Sequence, residues 1–243
     1  MTAGGAKRFY RSVSVRDEEG GFAVVLDSRP VRTPAGNPLV LPERTLAQAV
    51  AREWDEQTDR IRAGRMPLTR LVNTALEQTA PRPEPVIERL AAFGETDLLC
   101  HRADFPDELV SRQQAEWQPM LDWAADALGV RLTPVAGIRA LPQASESLHN
   151  LRRHLQALDP LNLTAAETAA SVTGSVVLSL ALAYGRLDAE SAWRISRVDE
   201  DYQIEKWGED AEALRQAGER RKVLDAAAAV FAALRPEPAS PGS

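Results

Sequence analysis

Between Ala192 and Ala211 the chain follows the period of an α-helix. Trp193, Arg197, Glu200, Ile204 and Trp207 fall on one face, and Ile195, Val198 and Tyr202 fall on the opposite one. The spacing predicts one continuous helix, apolar on two sides and so expected between neighbours. It also carries Arg197, Asp199, Glu200, Asp201, Gln203, Glu205 and Lys206, which need partners wherever they approach buried surface. Gly208 provides the stop, because glycine takes the left-handed conformation past a helix end at little cost.

The rest of the chain divides by period. Residues 8–41 alternate as strands: Phe9, Arg11, Val13 and Val15 against Tyr10, Ser12 and Ser14, then Phe22–Asp27 and Leu39–Leu41, with turns at Glu18–Gly21 and Pro34–Pro38. This predicts a small antiparallel meander. Leu46, Val50 and Trp54 mark a helix to about Gln57, with Trp54 expected as a core anchor packed on the meander. Pro67 opens a fresh helical pattern. Beyond the Pro-rich connector Thr79–Pro85 nearly everything is helical, including a long pattern from Asp107 to Leu128 in which Pro119 should produce a kink or a split. Thr164-Ala-Ala-Glu167 has the form of a capping box opening an uncharged helix, and Asp188 is placed to cap the helix that follows. The last pattern runs through Leu214, Leu224, Ala227, Phe231 and Leu234. The expected fold is α+β: a small β-rich N-terminal domain over 1–65, a larger all-helical C-terminal domain over 66–234 and a disordered tail over 235–243.

Composition narrows the functional classes. The 243 residues are 44% hydrophobic and 26% charged, ordinary for a globular protein. The net charge of −6, with no basic block, argues against a nucleic-acid partner. The uncharged run Thr168–Tyr184 contains Thr168, Ser171, Thr173, Gly174, Ser175 and Ser179 and lacks an aromatic belt, so it reads as a buried helix rather than a membrane span. The single cysteine, Cys100, excludes an internal disulfide and a multi-cysteine zinc site.

No phosphate-binding glycine loop, metalloprotease motif or nucleophile elbow occurs. His101, His149 and His154 lack metal-ligand spacing, and no metal or cofactor is expected. The one alternative enzyme reading is a small-molecule site near Asp97, Cys100 and His101, which would require a pocket there and a strongly shifted thiol. A permanent structural subunit of a stable complex is a third reading. Bottom-up, the residues favour a binding role.

Several stretches together resemble one family, the ATP12 assembly chaperones that bind the α subunit of the ATP synthase catalytic sector, F(1). They are Lys7–Tyr10, Val25–Pro34, Ala51–Gln57, Met66–Ala75, Asp97–Arg102, Gln118–Trp123, Thr173-Gly-Ser175 and Tyr202–Asp210, in order over residues 7–220. The resemblance implies a β-rich N-terminal domain, a helical C-terminal domain, no catalysis, and an ATP-independent chaperone that holds the free α subunit until assembly. It resembles the bacterial form, with no Arg- and Ser-rich presequence; that implies a cytoplasmic location here and the mitochondrial matrix for eukaryotic relatives. A monomer without membrane insertion is expected. The segment Glu209–Arg215 departs from the pattern of eukaryotic members. The composition of Trp193, Arg197, Glu200, Gln203 and Trp207, followed by Glu209 and Asp210, suits a partner-binding surface with aromatic and charged anchors. Glu209 and Asp210 are equally placed to cap the final helix.

Overall fold

A computed structural model describes residues 5–137 and 141–235. Strands β1 (Val13–Glu18) and β2 (Gly21–Leu26) form an antiparallel hairpin, and β3 (Arg29–Pro30) and β4 (Val40–Leu41) both pair with β2. Gly20 takes the positive φ, +85°, that suits the two-residue turn Glu19-Gly20. The strand begins at Val13. The preceding Arg8 instead turns its guanidinium onto the Asp55 and Gln57 carbonyls, although the alternation starts at Phe9. Helix α1 (Arg44–Asp55) lays Leu46, Ala47 and Val50 on the sheet.

Trp54 sits at the edge of that contact. It is half-buried, meets Tyr10 edge to face at 5.9 Å, and leaves its indole N–H without a protein partner among the described residues, so it falls short of the expected core anchor. The charge beside it, Glu53, is structural. Glu53 accepts hydrogen bonds from Leu68 N, Thr69 N and the Thr69 hydroxyl at 2.7–2.8 Å, capping α2 (Pro67–Thr74) from the neighbouring helix. Burial raises the Glu53 pKa from its ordinary value, and the three donors offset part of that rise. Arg65 ends a short 3-10 turn between α1 and α2.

Helices α3 (Glu84–Glu95), α4 (Asp107–Leu128) and α5 (Ser145–Gln156) follow, with α6 (Pro160–Thr173), α7 (Val176–Ala183), α8 (Ala189–Ser196), α9 (Val198–Trp207) and α10 (Ala211–Leu234). Two short strands, β5 (His101–Arg102) and β6 (Val135–Ala136), pair in parallel. One apolar cluster runs from Val24, Leu41 and Val50 through Leu71, Leu90 and Trp117 to Phe231. Ala165, Ala166, Ala169 and Ala170 are fully buried on α6, where small side chains let α10 and α7 approach closely.

Four sequence expectations change. Pro119 does not split α4, which is continuous over Asp107–Leu128; burial of Trp117, Met120 and Leu121 on either side supports the turn that lacks one N–H. Thr164–Glu167 is not a capping box. Helix α6 starts a turn earlier, with Asp159 accepting from Leu161 N and Asn162 N, while the Thr164 hydroxyl bonds Thr79 and Pro160 inside the bundle. The uncharged run is two helices, because Gly174 adopts φ +73° and Ser175 caps α7 through Leu178 N. The helix around Arg197 is also two helices, as described below. Asp188 does cap α8, through Ser191 N. Residues 236–243 of the expected tail lie outside the described residues.

Candidate functional site

The helix that the sequence reads as one piece breaks at Arg197, whose φ −111° and ψ 14° end α8 and begin α9. The break separates the two tryptophans. Trp193 stays on α8, half-buried against the core with the guanidinium groups of Arg197 and Arg221 stacked on its ring at 5.1 and 5.9 Å. Trp207 ends α9 and is 78% exposed.

Helix α9 lies on α4 through contacts that are mostly polar. Its buried side chains are Val198 and Tyr202. The Trp117 indole donates to the Ile195 carbonyl at 2.8 Å, one of the last-turn carbonyls that a helix end leaves without a partner. Gln113 donates to Asp199 at 2.7 Å. Arg112 bridges Glu108 and Glu205, and Lys206 pairs with Glu108 at 2.7 Å. These cations hold Glu108 and Glu205 below the ordinary carboxylate value.

Gly208 turns the chain, and Asp210 caps α10 by accepting from Glu212 N at 3.2 Å and Ala213 N at 3.4 Å. Glu209 takes no part in the cap. Helices α9 and α10 then enclose an open groove of about 370 Å³. Arg197, Glu200, Gln203, Trp207, Glu209 and Asp210 all line it, so six of the seven residues named from sequence come together and Trp193 does not. The sequence reading missed the opposite wall, Ala213, Leu214, Ala217 and Arg220; Ile204, read on the same face as Trp207 but not named as a site residue, completes the α9 wall. Leu214 was read as part of the buried stripe of the last helix, yet it is 48% exposed. Its isolation within the polar run Glu212–Lys222 was the available signal.

The alternative site near Cys100 does not assemble. Cys100 is buried, and burial together with the neighbouring Asp97 charge pushes its thiol up to about 12, which leaves no thiolate to act as nucleophile. His101 is exposed on β5. Asp97 is wholly buried and accepts from Leu99 N, the Ser175 hydroxyl and Val177 N at 3.0–3.2 Å, clamping the start of α7. Burial raises its carboxyl to about 6 against those donors. Among the described residues no three His, Cys, Asp or Glu side chains are placed to hold a metal ion, and no helix is long and apolar enough to cross a membrane.

The family model for the ATP12 chaperone protein matches residues 7–125. The crystal structure of Atp12 from Paracoccus denitrificans superposes with a TM-score of 0.87 at 43% identity, covering 95% of this chain and 99% of that one. An Agrobacterium tumefaciens structure superposes with a TM-score of 0.89 at 44% identity, over 94% of this chain and 86% of that one. Protein atp12, mitochondrial, from Schizosaccharomyces pombe is 26% identical over 235 residues, 91% of this chain and 81% of its own length. The identity and the shared architecture extend through α9 and α10, beyond the segment the family model covers, and on that full-length match the chain belongs to the ATP12 chaperone family.

Proposed function

We propose that this protein is an ATP-independent chaperone that binds the unassembled α subunit of the ATP synthase F(1) sector and hands it on to assembly. The observation that carries the reading is the groove between α9 and α10: an open, partly apolar surface on a family member, where Glu200, Gln203, Trp207, Glu209 and Leu214 are exposed and make no side-chain hydrogen bond or ion pair among the described residues. A free subunit exposes apolar surface that assembly buries, and such surface aggregates. Covering it reversibly calls for a modest interface with an aromatic anchor and a polar rim. Trp207 serves as the anchor, and Glu200, Gln203 and Glu209 as the rim. Arg197 and Asp210 position them, the first by pairing with Asp201 at 3.1 Å and the second by capping α10. Trp193 supports α8 from below. Under this reading the protein acts as a monomer in the bacterial cytoplasm and performs no catalysis.

Gentle affinity purification of the tagged chain from its own cells tests this. Co-elution of the F(1) α subunit is expected, and its loss in Trp207→Ala with the chain still folded places contact at the groove. An eluate free of α subunit under conditions that preserve weak complexes would overturn the reading.

A further inference from the structure

We infer that the groove between α9 and the first three turns of α10 receives an amphipathic α-helix of the client whose flanks carry lysine or arginine. The inference rests on the reading of this groove as the client site and adds the chemistry of the segment it takes.

The first argument is the state of α10. From Ala211 to Lys222 no side chain is buried; the pairs of Glu212 with Arg215 and Gln216, and of Glu219 with Lys222, lie within the segment, and among the described residues it is anchored outside itself at its far end, where Arg220 donates to the Val172 carbonyl and Arg221 pairs with Glu190 and stacks on the Trp193 ring. A helix of ~12–15 residues without tertiary packing is marginal in water. Only further along, at Leu224, Ala226, Ala227, Val230 and Phe231, does α10 enter the core. Its first turns therefore present a helix face that lacks a partner.

The shape of the groove selects the occupant's backbone. Both walls are helices whose main-chain groups are already paired, so they offer no free ladder to an extended strand. The apolar lining sits at helical spacing: Ile204 and Trp207 on α9, and Ala213, Leu214 and Ala217 on α10. The alanines leave room for close approach. A third helix laid in that trough buries its own apolar stripe in the same geometry that packs helices elsewhere. Helix α9 is about 15 Å long and the exposed part of α10 about 18 Å, which suits a segment of three turns or so.

Charge selects the side chains. Both cations of the groove are engaged within the protein: Arg197 with Asp201 and the Trp193 ring, and Arg220 with the Val172 carbonyl. The Glu200 and Glu209 side chains have no hydrogen-bonded or ionic partner among the described residues, and Asp210 adds a third carboxylate at the mouth. The free charge facing an incoming segment is negative. Lysine or arginine beside an apolar stripe complements it, whereas an acidic segment is repelled.

The test uses the full chain and three labelled synthetic peptides of about 14 residues. One has leucines at helical spacing flanked by lysines, the second replaces the lysines with glutamates, and the third breaks the first with a central proline. Anisotropy is expected to show the lysine peptide binding at least about tenfold tighter than either of the others. In Glu200→Lys/Glu209→Lys the preference should pass to the glutamate peptide, and Glu200→Gln/Glu209→Gln should abolish it without charge reversal. Hydrogen exchange across Ala211–Lys222 should slow when the lysine peptide is bound. Equal affinity for lysine and glutamate peptides, or an unchanged preference in the glutamine pair, would overturn the inference. Capture of the α subunit is measured in parallel. Capture without a lysine preference sinks the helix chemistry and leaves the chaperone reading standing; a lysine preference without capture does the reverse.

Discussion

Asp97 and Glu200 are both carboxylates, and the chain treats them oppositely. Asp97 is buried and accepts three hydrogen bonds that tie the start of α7 to the turn before β5. Glu200 is exposed and bonded to nothing else described. The contrast extends to their surroundings. In the body, Glu53 caps α2, Gln57 bonds Arg62 N, Gln113 bridges Ala103 N and Asp199, and Ser175 caps α7. Along the α9–α10 hairpin, Glu200, Gln203, Trp207, Glu209 and Leu214 face an open groove. Polar residues in recognisable motifs thus serve two ends, and burial with bonding tells them apart where sequence does not.

The largest effect expected on stability separates two tryptophans. Trp117 is fully buried and its indole satisfies the Ile195 carbonyl, so Trp117→Ala should cost roughly 3–5 kcal/mol in urea denaturation. Trp207→Ala should stay within about 0.5 kcal/mol of the parent. Trp54→Ala, at the edge of the N-terminal core, should fall between them. A Trp207→Ala protein as unstable as Trp117→Ala would erase the distinction between body and hairpin.

The next effect is on pH dependence. The folded-state pKa of Asp97 is raised from 3.8 to about 6. Between those values the folded protein holds a proton that the unfolded chain has lost, so stability falls as pH rises through that window. The loss should be ~1–3 kcal/mol and complete about one pH unit above 6. Asp97→Asn should flatten that part of the profile, as read by urea midpoints at successive pH values. A difference between parent and Asp97→Asn that grows in the parent's favour as pH rises across the same window would show that the donors around Asp97 outweigh its burial.

Smaller again is the cap. Glu53→Ala removes three bonds from the start of α2 and should cost about 1–2 kcal/mol. The smallest concerns the polar strap between α4 and α9. Arg112→Ala should leave the melting temperature nearly unchanged while amide exchange across Val198–Trp207 quickens, because the strap is solvent-exposed and screened by salt. Exchange that stays slow would mean Val198 and Tyr202 hold α9 by themselves.

The sequence carried much of this. The β-hairpin, the helix over Asp107–Leu128, the Asp188 cap and the α+β class follow from local period and turn chemistry. The breaks at Gly174 and Arg197 did not, because neither is dictated locally. Gly174 turns where Asp97, far away in sequence, draws the next helix N-terminus toward itself, and the Ile195 carbonyl beside Arg197 meets Trp117 across the bundle. For the groove, composition identified the α9 wall, where aromatic and charged residues alternate. The α10 wall stayed hidden because Leu214 shares the spacing of the buried stripe farther along, and periodicity alone does not show where along a helix the core ends. The same limit placed Trp193 with Trp207, which only an unbroken helix would put on one face.

The claim that the hairpin's polar residues are kept for a partner is tested most directly by Glu209→Lys, with melting temperature and rescue of ATP synthase assembly measured together in cells lacking the chromosomal copy. Glu209 lines the groove while Asp210 makes the cap. The account predicts a melting temperature nearly unchanged and rescue abolished. A large fall in melting temperature would show that the chain itself depends on Glu209, and full rescue would remove it from the partner surface; either would contradict the account.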